Sequence, residues 1–143
     1  MVTLKGLLDS KERHIYSLAP ESTAFEALEL MASKNIGAVL VLKSNKIKGI
    51  FSERDYARKV ILYGKSSKET PLKELMTTQV HTVTSDKTVR DCMALMSEKR
   101  IRHLPVVEER KLIGLVSIGD IVNALIMDQE NTIKDLETYI TQG

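Results

Sequence analysis

Apolar and polar residues alternate along this chain in two rhythms, and the same succession of rhythms occurs twice. Residues 15–18 and 80–83 are short runs of strand type. Each is followed by an apolar stripe at helical spacing, Ala24, Ala27, Leu28 and Met31 in the first copy and Val89, Cys92, Met93 and Met96 in the second. Such recurrence places the side chains on one face of a helix, so both stripes are expected to face a core. A threonine precedes each stripe with a carboxylate three residues on, Thr23 with Glu26 and Thr88 with Asp91. That spacing predicts a capping box, in which the hydroxyl accepts an early helix amide and the carboxylate reaches back to the cap. Residues 38–42 and 104–107 are apolar runs of strand length, and polar turns at 43–46 and 108–111 join each to a further strand in hairpin fashion. These third strands end at Ser52 and Ser117, and closing helices are expected over 53–63 and 118–128.

Displacing the chain by 65 residues superimposes 15–61 on 80–126 without a gap, with identities that include Thr23/Thr88, Met31/Met96, Gly49/Gly114, Ser52/Ser117 and Asp55/Asp120. One copy of about 60 residues would bury too little surface to be comfortable alone. An α/β fold is therefore expected, with two β-α-β-β-α repeats packed through their sheets in pseudo-two-fold symmetry and two equivalent clefts near the axis. Residues 1–13 read as an N-terminal helical extension, 14–64 as the first repeat, 65–79 as a linker with a short helix, 80–128 as the second repeat and 129–143 as a C-terminal helical tail. Thr70-Pro71 reads as the cap and first residue of the linker helix. In the tail, Ile133, Leu136 and Ile140 share a helical face and are expected to pack on the chain's own core or on a partner subunit.

Composition narrows the chemistry. Hydrophobic residues at 43% and charged residues at 28% are ordinary for a globular chain and exclude disorder. Lys+Arg 21 against Asp+Glu 19 leaves a net charge of +2, and aromatic residues are only 4% with no tryptophan. Nucleic acid is thus not an expected partner, through either phosphate neutralisation or base stacking. The longest uncharged apolar run, residues 36–42, falls far short of the ~20 residues that span a bilayer. The first residues lack the layout of a secretory signal, so a cytoplasmic protein with no membrane partner is expected. The single cysteine, Cys92, excludes an intramolecular disulfide and a cysteine-based zinc site, and its place on an apolar stripe reads as a packed thiol. His14, His81 and His103 have no spacing that puts two on one helix face, so no metal is expected. No nucleophile elbow, Walker loop or dinucleotide glycine motif is present, and no enzyme is expected.

The sharpest chemical signal is Gly49-Ile50-Phe51-Ser52-Glu53-Arg54-Asp55 and its counterpart Gly114-Leu115-Val116-Ser117-Ile118-Gly119-Asp120. Serine with aspartate three residues on is, by itself, another capping box. The same junction also suits a nucleoside phosphate. A glycine within a strand marks close approach of a ligand or another backbone, a helix N-terminus offers amides to phosphate, and a carboxylate at a strand-to-helix junction can bond both hydroxyls of a ribose.

With these features in order, twice, residues 15 to about 126 resemble a tandem pair of cystathionine-β-synthase (CBS) domains, a Bateman module standing alone. The resemblance rests on the two Thr-x-x-Glu/Asp openings, on Arg102-His103-Leu104-Pro105-Val106-Val107 and on the two Gly-x-x-Ser-x-x-Asp endings, and residues 51–59 are similar to small stand-alone CBS-pair proteins. It implies a non-enzymatic regulatory module that needs no cofactor, binds AMP, ATP, NAD or S-adenosylmethionine, forms a homodimer and signals to an unknown regulated protein. By the same resemblance Asp55 and Asp120 would hold ribose hydroxyls, with Ser52 and Ser117 near ribose or phosphate and Gly49 and Gly114 in the strands that carry them. Ile36, Gly37, Ala38, Ile101, Arg102 and His103 would flank the adenine. The copies differ where Gly119 replaces Arg54 and Arg102-His103 replace Gly37-Ala38. Related modules often take the ribose contact from one repeat and a phosphate contact from the other. By that resemblance Asp55 would share its cleft with Arg54, Arg58, Arg102 and His103 and prefer the more highly charged ligand. The alternative is a ligand-independent dimerisation or scaffold module.

Overall fold

In the computed structural model, which describes residues 2–10 and 14–142, Thr23 and Thr88 each cap a helix of eleven residues. Expectations that touch residues 1, 11–13 and 143 lie outside the described residues. In α2 (Ala24–Lys34) the Glu26 amide donates to the Thr23 hydroxyl at 3.2 Å. In α5 (Val89–Lys99) the box is reciprocal, the Asp91 amide donating to Thr88 Oγ1 at 3.1 Å and the Thr88 amide to Asp91 Oδ2 at 3.0 Å. The longer Glu26 side chain accepts the Thr23 hydroxyl instead, at 3.3 Å. Ala24, Ala27 and Met31 are buried on one stripe and Val89, Cys92 and Met96 on the other, as their spacing predicts.

Each repeat builds a three-stranded sheet. In the first, β1 (Ser17–Leu18) runs parallel to β2 (Ala38–Lys43), which pairs antiparallel with β3 (Lys46–Ser52). In the second, β4 (Val83–Thr84), β5 (His103–Glu108) and β6 (Lys111–Ser117) repeat that order. Even the irregularity is duplicated, with the register shifting between Val41 and Leu42 and again between Val106 and Val107. The two-residue hairpin turns place both central residues at positive φ, Ser44 at 53° and Asn45 at 62°, then Glu109 at 48° and Arg110 at 66°. A two-residue turn needs that conformation to match the twist of its strands. Asn45 accepts it readily, whereas Glu109 and Arg110 adopt it against the Cβ clash that disfavours it in side-chain-bearing residues.

The chain forms two compact units, one of residues Ile15–Val80 and one that joins the N-terminal segment through His14 to everything from His81 onward. The reason is apolar burial. Leu4, Leu7 and Leu8 of α1 (Leu4–Ser10) lie in the core of the second repeat with Met96, Val106 and Val116. Backbone bonds from the Leu4 amide to the Lys87 carbonyl (2.9 Å) and from the Val89 amide to the Val2 carbonyl (3.0 Å) fasten it there. In the first repeat that place is taken by α4 (Leu72–Leu75), whose Leu72 and Leu75 join Phe51 and Val60. The Leu72 amide donates to the Ser22 carbonyl at 2.7 Å. Thr70 does not cap this helix. Pro71 stands at the cap in extended conformation without a side-chain bond, while the Thr70 hydroxyl donates to the Ser66 carbonyl at 2.7 Å.

The closing helices differ from the expected pair. After β3, α3 (Glu53–Asp55) passes at once into a π-helix, Tyr56–Ile61. After β6, α6 (Ile118–Gln142) continues through the tail as one helix of 25 residues, because no glycine or proline follows Gly119 to stop it before Gln142. Ile133, Leu136 and Ile140 are exposed, so the chain's own core does not cover that face. Among the described residues no helix is long and apolar enough to cross a membrane. The turn strain yields a prediction. Replacing Glu109-Arg110 with Asn-Gly should raise the urea unfolding free energy by about 1 kcal/mol, whereas Asn-Gly in place of Ser44-Asn45 should gain less.

Candidate functional site

The strand-to-helix junction of the first repeat is built around one carboxylate. Ser52, the last residue of β3, has extended backbone and caps α3, its hydroxyl accepting the Asp55 amide at 3.2 Å. Asp55 Oδ2 in turn accepts the Ser52 amide at 3.0 Å and the Ser52 hydroxyl at 3.1 Å. Its Oδ1 accepts the Thr77 hydroxyl at 3.2 Å and lies 3.3 Å from the Lys59 ammonium. The Asp55 side chain retains 14% of its surface exposure, so an oriented, partly open acceptor stands at the end of the sheet.

The second repeat has the same frame. The Asp120 amide donates to the Ser117 hydroxyl at 3.1 Å, and the Ser117 amide donates to Asp120 Oδ2 at 2.9 Å. His103 lies opposite Ser117 across the β5–β6 pair. Burial pushes its imidazole below the ordinary histidine range, with the Arg102 charge acting in the same direction and the Asp120 charge opposing both. The family resemblance allotted His103 to the Asp55 cleft. Within its own unit it is the Asp120 carboxylate that its imidazole feels.

Several expectations change once the residues are placed. The room beside both glycines is taken by the chain itself. A methyl at Gly49 would stand 2.7 Å from the Met76 sulfur and 2.8 Å from the Thr77 carbonyl oxygen, and one at Gly114 would stand 2.6 Å from Leu8. The helix amides are also largely committed. The Glu53 amide donates to the Gly37 carbonyl at 3.1 Å and the Ile118 amide to the Arg102 carbonyl at 2.8 Å, while those of Asp55 and Asp120 serve the serine caps. Two of the first three amides at each junction are thus satisfied internally, which leaves less for a phosphate than a bare helix N-terminus would offer. Ala38 is 1% exposed, so its side chain is no open wall for a base. Ile36 and Ile101 are partly buried against the two cores, and each amide closes the preceding helix on Met31 or Met96 at 3.0 Å. Arg54, Arg58 and Arg102 are exposed; the first two follow Ser52 in α3 and the π-helix, and Arg102 directly precedes β5.

Comparison with known proteins follows this geometry. The CBS domain model matches residues 11–61 and 72–127. The chain belongs to the CBS domain family. It is 39% identical over 128 residues to a mitochondrial CBS domain-containing protein of Arabidopsis thaliana (CBSX3), an alignment covering 86% of this chain and 62% of that protein. It is 30% identical over 118 residues to the CBS domain-containing protein YhcV of Bacillus subtilis, covering 82% and 84%. The structure of a CBS-domain protein from Burkholderia ambifaria, proposed there as a signal-transduction protein, superposes with a TM-score of 0.87 at 47% identity, covering 90% of this chain and 96% of that one. The fold is thus a tandem CBS pair, each repeat a three-stranded sheet with helices. Stand-alone proteins of this kind are typically non-catalytic. The match spans about three-fifths of the Arabidopsis relative's length.

Two residues of the CBS junction escaped the sequence pattern. Lys59 had a visible signal, since it lies four residues after Asp55 and such pairs meet on one helical face. Thr77 had none. It reaches Asp55 because its backbone pairs with Ile50 of β3 through bonds of 2.9 and 3.0 Å, a contact across 27 residues. Cys92 is a buried thiol pushed up to about 11 by desolvation, in keeping with packing and not with nucleophilic use.

The depressed His103 pKa has a definite sign. Unfolding returns the imidazole to about 6.5, so the unfolded chain takes up the proton first as pH falls. His103 therefore costs no stability well above pH 6.5, where both states are neutral, and progressively more below it. Urea titrations at pH 7.5 and 5.5 should show a larger acid loss for the parent protein than for His103→Gln; equal losses would contradict the assignment.

Proposed function

We propose that this CBS pair is a non-enzymatic sensor module whose Ser52–Asp55 and Ser117–Asp120 junctions bind an adenosine ligand, AMP, ATP, NAD or S-adenosylmethionine, and pass its occupancy to a regulated protein. One observation carries the reading. Both junctions hold an aspartate in a fixed rotamer with one oxygen bonded to the serine amide, at 3.0 and 2.9 Å. A carboxylate locked in this way is an oriented acceptor for a vicinal diol and loses no rotamer freedom on binding. The exposed guanidiniums of Arg54 and Arg58 follow the same junction and supply charge for a phosphate. On this reading the Asp55 site keeps its preference for the more highly charged ligand. The cytoplasm is the proposed compartment, and neither nucleic acid nor a membrane is a proposed partner.

Ligand binding to the folded state raises stability by RT ln(1 + [L]/Kd), about 2.7 kcal/mol at a hundredfold excess over Kd. A thermal-shift panel of the four ligands should therefore raise Tm with at least one of them. Asp55→Asn and Asp120→Asn should each reduce that shift while retaining the cap. A parent protein indifferent to every ligand would sink the proposal.

The exposed stripe of α6 favours the alternative, a dimerisation or scaffold module. Val122, Ile126, Ile133, Leu136 and Ile140, with Gln129 between, follow alternating steps of four and three residues, the spacing of a coiled-coil seam. A homodimer is compatible with either function. Light scattering should show a dimer for the parent chain and a monomer for a Leu136→Lys, Ile140→Lys variant.

A further inference from the structure

The two CBS junctions share the serine-aspartate frame, and at the first the outer carboxylate oxygen meets a lysine. At the first, the Lys59 ammonium lies 3.3 Å from Asp55 Oδ1, donates to the Leu75 carbonyl at 3.0 Å and lies 3.4 Å from the Thr77 hydroxyl. An ammonium has three donors, and here three oxygens surround it. Thr77 also donates to Asp55 Oδ1 and is itself tied to β3 through Ile50. The Lys59 side chain is 38% exposed and that of Asp55 14%, so the pair is neither loose at the surface nor sealed in a core. Lys59 stands in the π-helix that replaces an ordinary helical turn directly after Asp55. Such turns are rare and recur at functional sites. The residue 65 positions on, four after Asp120, is Ala124, so the second repeat carries no lysine at the equivalent position.

We infer that Lys59 is a positioning residue of the first site: it clamps Asp55 to the Leu75–Thr77 end of the linker helix, so that a ribose diol takes the carboxylate only by displacing the clamp. The inference rests on the proposed ribose-binding role of Asp55. Binding at the first repeat then competes with an internal cation and loosens the stretch where the chain leaves that repeat for the next. Occupancy is thereby connected to linker conformation through one side chain.

The test is calorimetry in an Asp120→Asn background, which isolates the first site, with AMP and adenosine as separate probes. Removing a partly exposed ionic competitor should tighten binding by roughly two- to fivefold. Lys59→Met should do so for both probes, and Lys59→Arg should restore the parent affinity, which a merely structural role would not require. Thr77→Val, which leaves the charge in place, should tighten binding less and serves as a second variant should Lys59→Met fold poorly. Hydrogen exchange at the Met76 and Thr77 amides should be faster in Lys59→Met than in the parent. If AMP binding weakens while adenosine binding is unchanged, Lys59 is a phosphate ligand and the clamp is overturned. If neither probe responds to Lys59→Met in a protein that does respond to Asp55→Asn, the clamp alone falls. Insensitivity to Asp55→Asn would overturn the ribose reading itself.

Discussion

A three-stranded sheet backed by one amphipathic helix leaves part of its apolar face uncovered, and the rest of this structure follows from how that face is closed. In each repeat a short helix from outside the duplicated segment completes the core, α1 with Leu4, Leu7 and Leu8 for the second repeat and α4 with Leu72 and Leu75 for the first. Burying a leucine fully contributes about 1.5–3 kcal/mol, so these five side chains weigh heavily against the few kcal/mol by which small domains are stable. The closure has a geometric cost at the sheet. Met76 and Leu8 lie directly on β3 and β6, and only a residue without Cβ fits beneath them, which accounts for Gly49 and Gly114.

The same closure delivers the candidate site. Once Met76 is seated on Gly49, the next residue, Thr77, pairs with Ile50, and its hydroxyl reaches Asp55. Packing and chemistry are one arrangement at this point: the element that excludes water from the core also presents a hydroxyl to the carboxylate. Lys59 then ties the two together from the π-helix. Duplication therefore gives two junctions with a common frame and different neighbours. One carries Thr77 and Lys59 against its aspartate, and the other has His103 across from its serine, an imidazole whose pKa burial lowers.

Much of the frame was legible along the chain. Thr23 and Thr88 cap the helices that their hydroxyl-carboxylate spacing implies, the stripes through Met31 and Met96 are buried, and Ser52–Asp55 and Ser117–Asp120 form their boxes. These are local interactions, with partners three or four residues apart, so spacing alone encodes them. Thr70 misled because threonine before proline has the chemistry of a cap, yet the helix starts one residue later, with Pro71 itself at the cap, and the Thr70 hydroxyl donates to the Ser66 carbonyl. The boundary between the last repeat and its tail was invisible for the opposite reason: no residue there interrupts a helix, and α6 runs on.

The amino-acid sequence by itself determined the duplication, the α/β class, the capping chemistry and the pair of aspartates at the strand ends, because each depends on residues near one another in the chain. Only the tertiary structure decided that α1 completes the second repeat, that the space at the two glycines is filled by Met76 and Leu8, and that Thr77 reaches Asp55 and Lys59. Those pairings are set by which apolar surface remains uncovered after the local elements have formed. That quantity exists only once the sheets are assembled, and no spacing along the chain records it.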